Sequence, residues 1–255
     1  MAYNSREIGE LFPFLEPAGK IQRRLYMIPY AVKSASSQLA ASTTDPHLQS
    51  MFKDTMMLLR DCALDASHTM SALSNFFRAL SSTFRELDVD LDTHLSVIDT
   101  RYHAVVERLE ELLDMSLRVA KALVGLEECV TNTLAYTPGI HFILIHALYP
   151  LVTRWNLVPI SPRGVMLIDG CSSLNNIRLS VVEISASVRL LKSYTSGARA
   201  HFSVDYLRDV RRLPYDRREA LVSALKTITL DLGGAVHAIN SMTSRIKRAS
   251  SPSLY

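Results

Sequence analysis

Apolar residues recur along most of the chain at alternating intervals of three and four positions. The pattern is clearest in four stretches, whose apolar seams begin at Leu59, Leu91, Leu174 and Leu221. This spacing keeps one stripe on the same face of an α-helix over several turns, so each stretch is predicted to be a long helix that packs against a neighbour. The sequence therefore predicts an all-α fold: an antiparallel bundle of four to five long helices with coiled-coil-like heptad seams.

Five long helices are predicted from these seams and from the residues that bound them. Asp45 followed by Pro46 marks a helix start, because Asp is a good N-cap and Pro fits the first helical position. Gly and Pro are scarce, at 9 and 10 residues, which disfavours a turn-rich all-β fold. The predicted helices cover residues about 18–43, 46–87, 91–137, 172–197 and 216–248, with Ser172 or Ser173 as the cap of the fourth.

Local features complicate the first and last of these patterns. Pro29 falls inside the first, where its missing N–H is expected to kink or split the helix. Gly233 and Gly234 fall inside the last, where they indicate close packing or a bend. A shorter amphipathic piece is predicted around Val204–Leu213, ahead of the last helix.

Residues 1–249 are predicted to form one elongated helical-bundle domain, followed by a flexible tail over 250–255. Ser250 and Ser251 come directly after a basic stretch that includes Lys247 and Arg248. This arrangement is typical of a kinase acceptor, and a phosphate there would cancel neighbouring positive charge. We therefore predict Ser250 and Ser251 as phosphorylation sites.

One apolar stretch, residues 138–169, has no lasting helical period and contains four prolines. Its first half lacks formal charge, but the part from Ile140 to Thr153 has the length of a buried or interfacial segment rather than of a bilayer span. Tyr149 and Trp155 would suit a membrane interface. We interpret it either as an apolar connection packed at one end of the bundle or as a membrane-inserting segment. Its candidate membrane or partner contacts are Ile140, Phe142, Ile143, Leu144, Ile145, Leu148, Tyr149, Leu151, Val152 and Trp155.

The layout of long helices around one apolar segment is similar to that of cytolysin-type α-helical pore-forming proteins. Those proteins insert an apolar element that lies between long helices. The resemblance is one of architecture and includes no diagnostic motif. It implies a membrane-active function that uses residues 138–160, and this is the alternative to a function in protein interaction.

Charge is distributed unevenly along the chain, although the net charge is only +3. Residues 1–149 carry 13 Lys and Arg against 18 Asp and Glu, whereas residues 150–255 carry 15 against 7. The two halves can attract each other within a chain or between chains, and the basic half also favours lipid or nucleic-acid surfaces. Interleaved acidic residues favour a salt-bridged solvent face as the simpler interpretation. The candidate anionic contacts are Arg208, Arg211, Arg212, Arg217 and Arg218.

The sequence contains no motif that carries catalysis or holds a cofactor. It has no glycine-rich phosphate loop, no His-Glu-x-x-His and no Glu-x-x-His pair for a bundle metal site. Its three cysteines, Cys62, Cys129 and Cys171, have neither zinc spacing nor a disulfide framework. We therefore expect no enzymatic activity, no cofactor, no metal and no small-molecule substrate.

Together these features predict a non-catalytic helical scaffold or protein-interaction module that self-associates or binds partner helices. A membrane-active bundle is the alternative, and binding of nucleic acid or another anionic surface through the basic C-terminal half comes third. The first residues lack a basic region followed by a long apolar core, so no secretory signal is expected. A cytoplasmic location, free or at a membrane, is predicted.

Overall fold

The computed structural model describes residues 15–42, 44–86, 90–135, 162–199 and 204–250. Of these residues 97% are helical, and they include no strand. The prediction of an all-α fold is therefore confirmed. The helices are α1 Leu15–Ser42, α2 Pro46–Arg85, α3 Leu91–Ala135, α4 Pro162–Arg199, α5 Val204–Arg212 and α6 Tyr215–Ser250.

The residues of the predicted apolar stripes are mostly buried. Phe77 and Phe84 of α2, Leu109 of α3 and Ile184 of α4 have no exposed surface. These side chains belong to one core to which all six helices contribute. Because burial of a large apolar side chain stabilises the fold by about 1.5–3 kcal/mol, the stripes supply the main force that holds the helices together.

Helices α2 and α3 run in opposite directions against each other. The Thr69 hydroxyl lies 3.1 Å from the Arg108 carbonyl oxygen, and the Thr83 hydroxyl lies 3.2 Å from Nδ1 of His94. Residue numbers thus rise along α2 while they fall along α3. The short connection between the two helices explains this arrangement, because a chain that turns within a few residues places the second helix beside the first.

Helix α4 runs opposite to α3 on one side. The Ser185 hydroxyl donates to the Ser116 hydroxyl at 2.8 Å, and the ammonium of Lys192 lies 2.8 Å from the Glu110 carboxylate. The serine pair is buried, whereas the ion pair is exposed. Ser116 therefore fits a polar side chain into the α3 stripe without leaving a buried hydroxyl unsatisfied.

Helix α4 runs opposite to α1 on its other side. The Ser173 hydroxyl donates to the Ser34 hydroxyl at 3.0 Å, and Arg24 forms an ion pair with Glu183. The backbone of α4 also comes close to α1 at Gly170, where a Cβ atom would lie 3.1 Å from a methyl carbon of Leu39. A glycine at this position allows the close approach.

Helix α6 runs opposite to α2. A guanidinium nitrogen of Arg211, in α5, donates to the carbonyl oxygen of Glu86 at 3.2 Å, so α6 begins near the end of α2. Further along, the Ser74 hydroxyl donates to the carbonyl oxygen of Thr229 at 3.3 Å. The second neighbour of α6 is α1.

The five long helices therefore contact one another in the cyclic order α1, α4, α3, α2, α6 and back to α1. The first four contacts join helices of opposite direction. A cycle with an odd number of members cannot alternate throughout, so α6 must run in the same direction as α1. These two helices also contact each other less extensively than the other neighbouring pairs of the cycle do.

Helix α4 begins ten residues earlier than predicted. Ser172 and Ser173 lie inside it, so the predicted cap is wrong, and residues 162–169 belong to a helix rather than to the non-periodic connection. Pro162 is the first residue of the helix, where its fixed φ fits and its missing N–H costs nothing. The buried side chains of Leu167 and Ile168 add apolar contacts to this extra part.

Three smaller expectations also change. Helix α1 continues through Pro29, so a split at this residue is wrong, and the alternative of a kink stays a prediction. The buried stripe of α1 compensates for the hydrogen bond that the proline removes. Nothing lies within 4 Å of a Cβ placed on Gly233 or Gly234, so the predicted close packing is wrong there. Ser250 is the last residue of α6 rather than part of a tail.

Candidate interaction surface

Several large apolar side chains are exposed along the outer side of α3 and α4. Leu117 and Val124 of α3 are 45% and 41% exposed. Leu179, Val182 and Leu190 of α4 are 50%, 47% and 42% exposed. We call these five residues the α3–α4 face. Exposed apolar residues are ordinary when they are scattered, but a group on one surface indicates an interaction site.

Helical spacing places the α3 residues of this face at the border with α4. On α3, Leu117 and Val124 follow Glu110 at intervals of seven, so all three lie in one row along the helix. Glu110 reaches across to Lys192, which shows that this row borders α4. Leu117 and Val124 therefore lie at the border between the helices. On α4, Leu190 follows Glu183 by seven positions, and Glu183 pairs with Arg24 of α1, so Leu190 lies farther from this border.

Two ion pairs mark the ends of this border. Glu110 and Lys192 form one pair at 2.8 Å, and Glu127 and Arg178 form the other at 3.1 Å. The two acidic residues are 17 positions apart on α3. At 1.5 Å per residue, the surface between the pairs is roughly 25 Å long. This length is sufficient for an interface between long helices.

The charges around the face have opposite signs on the two helices. Helix α3 carries eight Asp and Glu against four Lys and Arg, and α4 carries two against five. Several of these groups, including Asp114 and Arg189, are exposed near the apolar residues. The face thus has an acidic helix on one side and a basic helix on the other.

The basic cluster predicted from the sequence lies in and next to α5, and most of its members contact the chain itself. Each contact is local or reaches the end of α2. Arg208 pairs with Asp205 at 3.1 Å, and Arg212 pairs with Asp209 at 3.8 Å. Arg211 donates to the carbonyl oxygen of Glu86. The guanidinium carbon of Arg218 lies 5.9 Å from the ring centroid of Tyr215, and Arg217 is exposed. The contact of these arginines with an anionic partner stays a prediction.

The three cysteines have no activating environment. Burial, together with the Asp65 carboxylate, raises the pKa of the Cys62 thiol to about 12. Burial also raises the pKa of the Cys171 thiol to about 11, although a hydrogen bond with Thr131 lowers it slightly. Cys129 is half-buried, and its pKa is raised for the same reason. Thiols with raised pKa values behave as small apolar side chains.

The α3–α4 face is not among the contact residues predicted from the sequence. Leu117 directly follows Ser116 of the buried stripe, and Val182 directly follows Val181, so the sequence does contain apolar residues outside the stripes. It does not show that residues from two helices share one surface. That information requires the register between α3 and α4.

The ten contact residues predicted between Ile140 and Trp155 lie outside the described residues, as does Ser251. Ser250 lies at the end of α6. Within the helices that the structure describes, none is both long enough and apolar enough to cross a membrane. The described ranges also contain no group of His, Cys, Asp or Glu side chains that could hold a metal ion. Comparison of the chain with models of protein families, with curated proteins and with solved structures finds no match.

Proposed function

We propose that the protein is a non-catalytic helical scaffold that self-associates through the α3–α4 face. The observation that carries the proposal is the set of five half-exposed apolar side chains on the outer sides of α3 and α4, two of which, Leu117 and Val124, lie along the border that the two ion pairs mark. Such side chains gain about 25 cal/mol for each Å² of apolar surface that an interface removes from water.

The scaffold itself is proposed to be one mainly antiparallel bundle with coiled-coil-like heptad seams. The cyclic order of helix contacts and the burial of Leu109, Phe77 and Ile184 on the predicted stripes support this proposal. A bundle of this kind holds long helices straight and presents their outer sides as extended surfaces. Those surfaces are suited to binding other helices.

A second copy of the chain is the occupant that the charges favour. Rotation about a twofold axis parallel to the helices would place the acidic α3 of one copy against the basic α4 of the other. Each apolar row would then meet an apolar row, with opposite charges at both edges. A symmetric interface requires this self-complementarity, because the same surface serves both partners.

The proposal is tested by measuring molar mass by light scattering during size-exclusion chromatography over a range of concentrations. We expect wild type to form a dimer. Val182→Asp and Leu117→Asp should each give a monomer, because an aspartate buried between two apolar surfaces loses its hydration without gaining a partner. Both positions are about half exposed in the monomer, so the helices should be retained, as circular dichroism would verify.

Leu230→Asp is the matched control. Leu230 is 74% exposed on α6, which contacts α2 and α1 rather than α3 or α4, and the substitution makes the same change in net charge. This variant should remain a dimer. A wild-type protein that is monomeric at all concentrations, or equal loss of dimer in Leu230→Asp and Val182→Asp, would show that the α3–α4 face is not a self-association site.

A further inference from the structure

A groove of about 990 Å³ runs between α1 and α6. These are the two long helices that run in the same direction and contact each other least among the neighbours of the cycle. The groove opens to solvent on the outer side of the molecule, and Glu183 of α4 reaches its edge. Its volume lies at the upper end of the range of small-molecule sites, roughly 300–1,000 Å³.

Positive charge dominates the lining of this groove. The lining residues include four cations, namely Lys20, Arg23 and Arg24 of α1 and Arg245 of α6. Glu183 is the one carboxylate among the lining residues. Arg24 forms an ion pair with the Glu183 carboxylate, and Lys20 forms an ion pair with Glu16 at 2.7 Å. The lining therefore carries more positive charge than its own acidic residues neutralise.

Two of these cations, Arg23 and Arg245, form no ion pair within 4 Å in the described ranges, although the charge of Arg23 helps Lys20 to lower the pKa of Glu16. Arg23 donates to the carbonyl oxygen of Gly19, one turn earlier, at 3.3 Å. Arg245 lies close to the hydroxyl of Tyr30. Both side chains are exposed, so they remain available to an external anion. A guanidinium group presents a planar pair of donors that matches the oxygens of a phosphate.

Polar and apolar groups lie next to these cations. The rings of Tyr26 and Tyr30 are 5.9 Å apart, and a hydrogen bond with Tyr26 raises the pKa of Tyr30. Met242 is buried at the base of the groove, whereas Met27 beside it is 56% exposed. The groove therefore combines donors for an anion with an apolar surface that is open to a ligand.

From this combination we propose that the groove between α1 and α6 binds a phosphate-bearing ligand. Arg23 and Arg245 contact the phosphate oxygens, the Tyr26 hydroxyl adds a hydrogen bond, and Met27 contacts an apolar part of the ligand. The same chemistry is present in the headgroup of an anionic phospholipid and in a soluble phosphate compound. The two sources differ in whether Met27 contributes to binding.

The experiment compares two probes. One probe is inorganic pyrophosphate, whose binding to the full chain is measured by titration calorimetry. The other is a set of phosphatidylcholine vesicles with and without phosphatidic acid, for which binding is measured by co-sedimentation. We expect at least one of the two probes to bind. If the natural ligand is a lipid headgroup, the protein should co-sediment with the vesicles that contain phosphatidic acid and not with those that lack it. Met27→Gln should then weaken vesicle binding and leave pyrophosphate binding unchanged.

The double substitution Arg23→Gln and Arg245→Gln removes the two guanidinium groups from the groove. Because the variant loses two guanidinium groups that form charge-assisted hydrogen bonds, affinity should fall at least roughly a hundredfold for whichever probe binds. Both residues are exposed and make few contacts within the chain, so stability should change little, as thermal unfolding would verify.

Arg212→Gln together with Arg217→Gln is the matched control. It removes the same two charges from an exposed basic cluster near the start of α6, away from the groove. Affinity should be retained in this variant. The proposal is overturned if wild type binds neither probe, if both double variants lose affinity equally, or if a polyglutamate peptide binds as tightly as the phosphate probe. Repeating the titration on the Val182→Asp variant separates this site from the proposed self-association.

Discussion

At the scale of single residues, the interior accepts polar side chains where each finds a partner one turn away or on the next helix. The buried Ser116 hydroxyl donates to the Leu113 carbonyl oxygen at 2.8 Å and accepts from Ser185. Thr83 donates to the Ala79 carbonyl oxygen at 2.9 Å, and its hydroxyl oxygen also lies 3.2 Å from Nδ1 of His94. These hydroxyls enter an apolar core at little cost because none is left unsatisfied.

Cysteine reactivity is a direct test of the packing around single side chains. At pH 8 a thiol with a pKa near 12 is ionised in about one molecule in ten thousand, and only the thiolate reacts with iodoacetamide. Cys62 should therefore resist labelling in the native protein, and Cys171, with its pKa near 11, should react slowly. Cys129, which is half-buried, should react first.

The labelling order is measured by peptide mass spectrometry over time. The unfolded protein in denaturant is the control, since all three cysteines should then react at similar rates. Native labelling of Cys62 as fast as that of Cys129 would contradict the burial of Cys62 against the core.

At the scale of helices, the glycines distinguish a position that needs close packing from positions that do not. An alanine at Gly233 or Gly234 would meet nothing within 4 Å, whereas at Gly170 its Cβ would lie 3.1 Å from Leu39. Replacing a helical glycine by alanine stabilises by about 0.5–1 kcal/mol where space allows. We expect this gain for Gly233→Ala and for Gly234→Ala.

Gly170→Ala should gain less, because Leu39 has to move, and Gly170→Leu should destabilise by about 1–3 kcal/mol through overpacking between α1 and α4. Urea unfolding with unchanged slopes would measure all four variants. A stable Gly170→Leu protein, or destabilisation by Gly234→Ala, would be inconsistent with the described contacts.

The sequence predicts the helices well where apolar periodicity is strong and less well where they end. The stripe of α4 predicts that helix from Leu174 onward, because Leu174 and Ile177 repeat at helical intervals. Its start at Pro162 is not visible in the pattern, since Met166, Leu167 and Ile168 form a continuous apolar run that fits no single period. A run of this kind becomes helical through the contacts it makes, which the sequence alone does not show.

At the scale of the whole molecule, one continuous core predicts one cooperative unfolding transition. Phe77 of α2 and Leu191 of α4 are fully buried in that core, although they lie on different helices. Phe77→Ala should cost about 3–5 kcal/mol and Leu191→Ala about 2–5 kcal/mol, since each leaves a cavity. Both should lower the midpoint of the same transition.

Differential scanning calorimetry checks this expectation, because a two-state transition has equal calorimetric and van't Hoff enthalpies. Leu230→Ala is the control and should change stability by less than about 0.5 kcal/mol, as its side chain is largely exposed. Two separate peaks, with only one shifted by each core substitution, would mean that the helices form more than one folding unit.

The candidate surfaces were harder to predict than the core, because each combines residues that are distant in sequence. Leu117 and Val182 share the α3–α4 face, and Arg23 and Arg245 share the groove between α1 and α6. Periodicity identifies which side of a helix is buried. It gives neither the order of five helices around a core nor their registers, and these decide which exposed residues become neighbours.

Among the described residues, the odd number of long helices produces an electrical polarity that side chains do not create. Helices α1, α3 and α6 run in one direction, and α2 and α4 run in the opposite direction. The aligned peptide groups of each helix place about half a positive charge at its start and half a negative charge at its finish. The dipoles of oppositely directed helices cancel in two pairs, and the fifth described long helix leaves a net charge of about half a unit of each sign at its two ends. This backbone dipole persists through any surface substitution that keeps the fold.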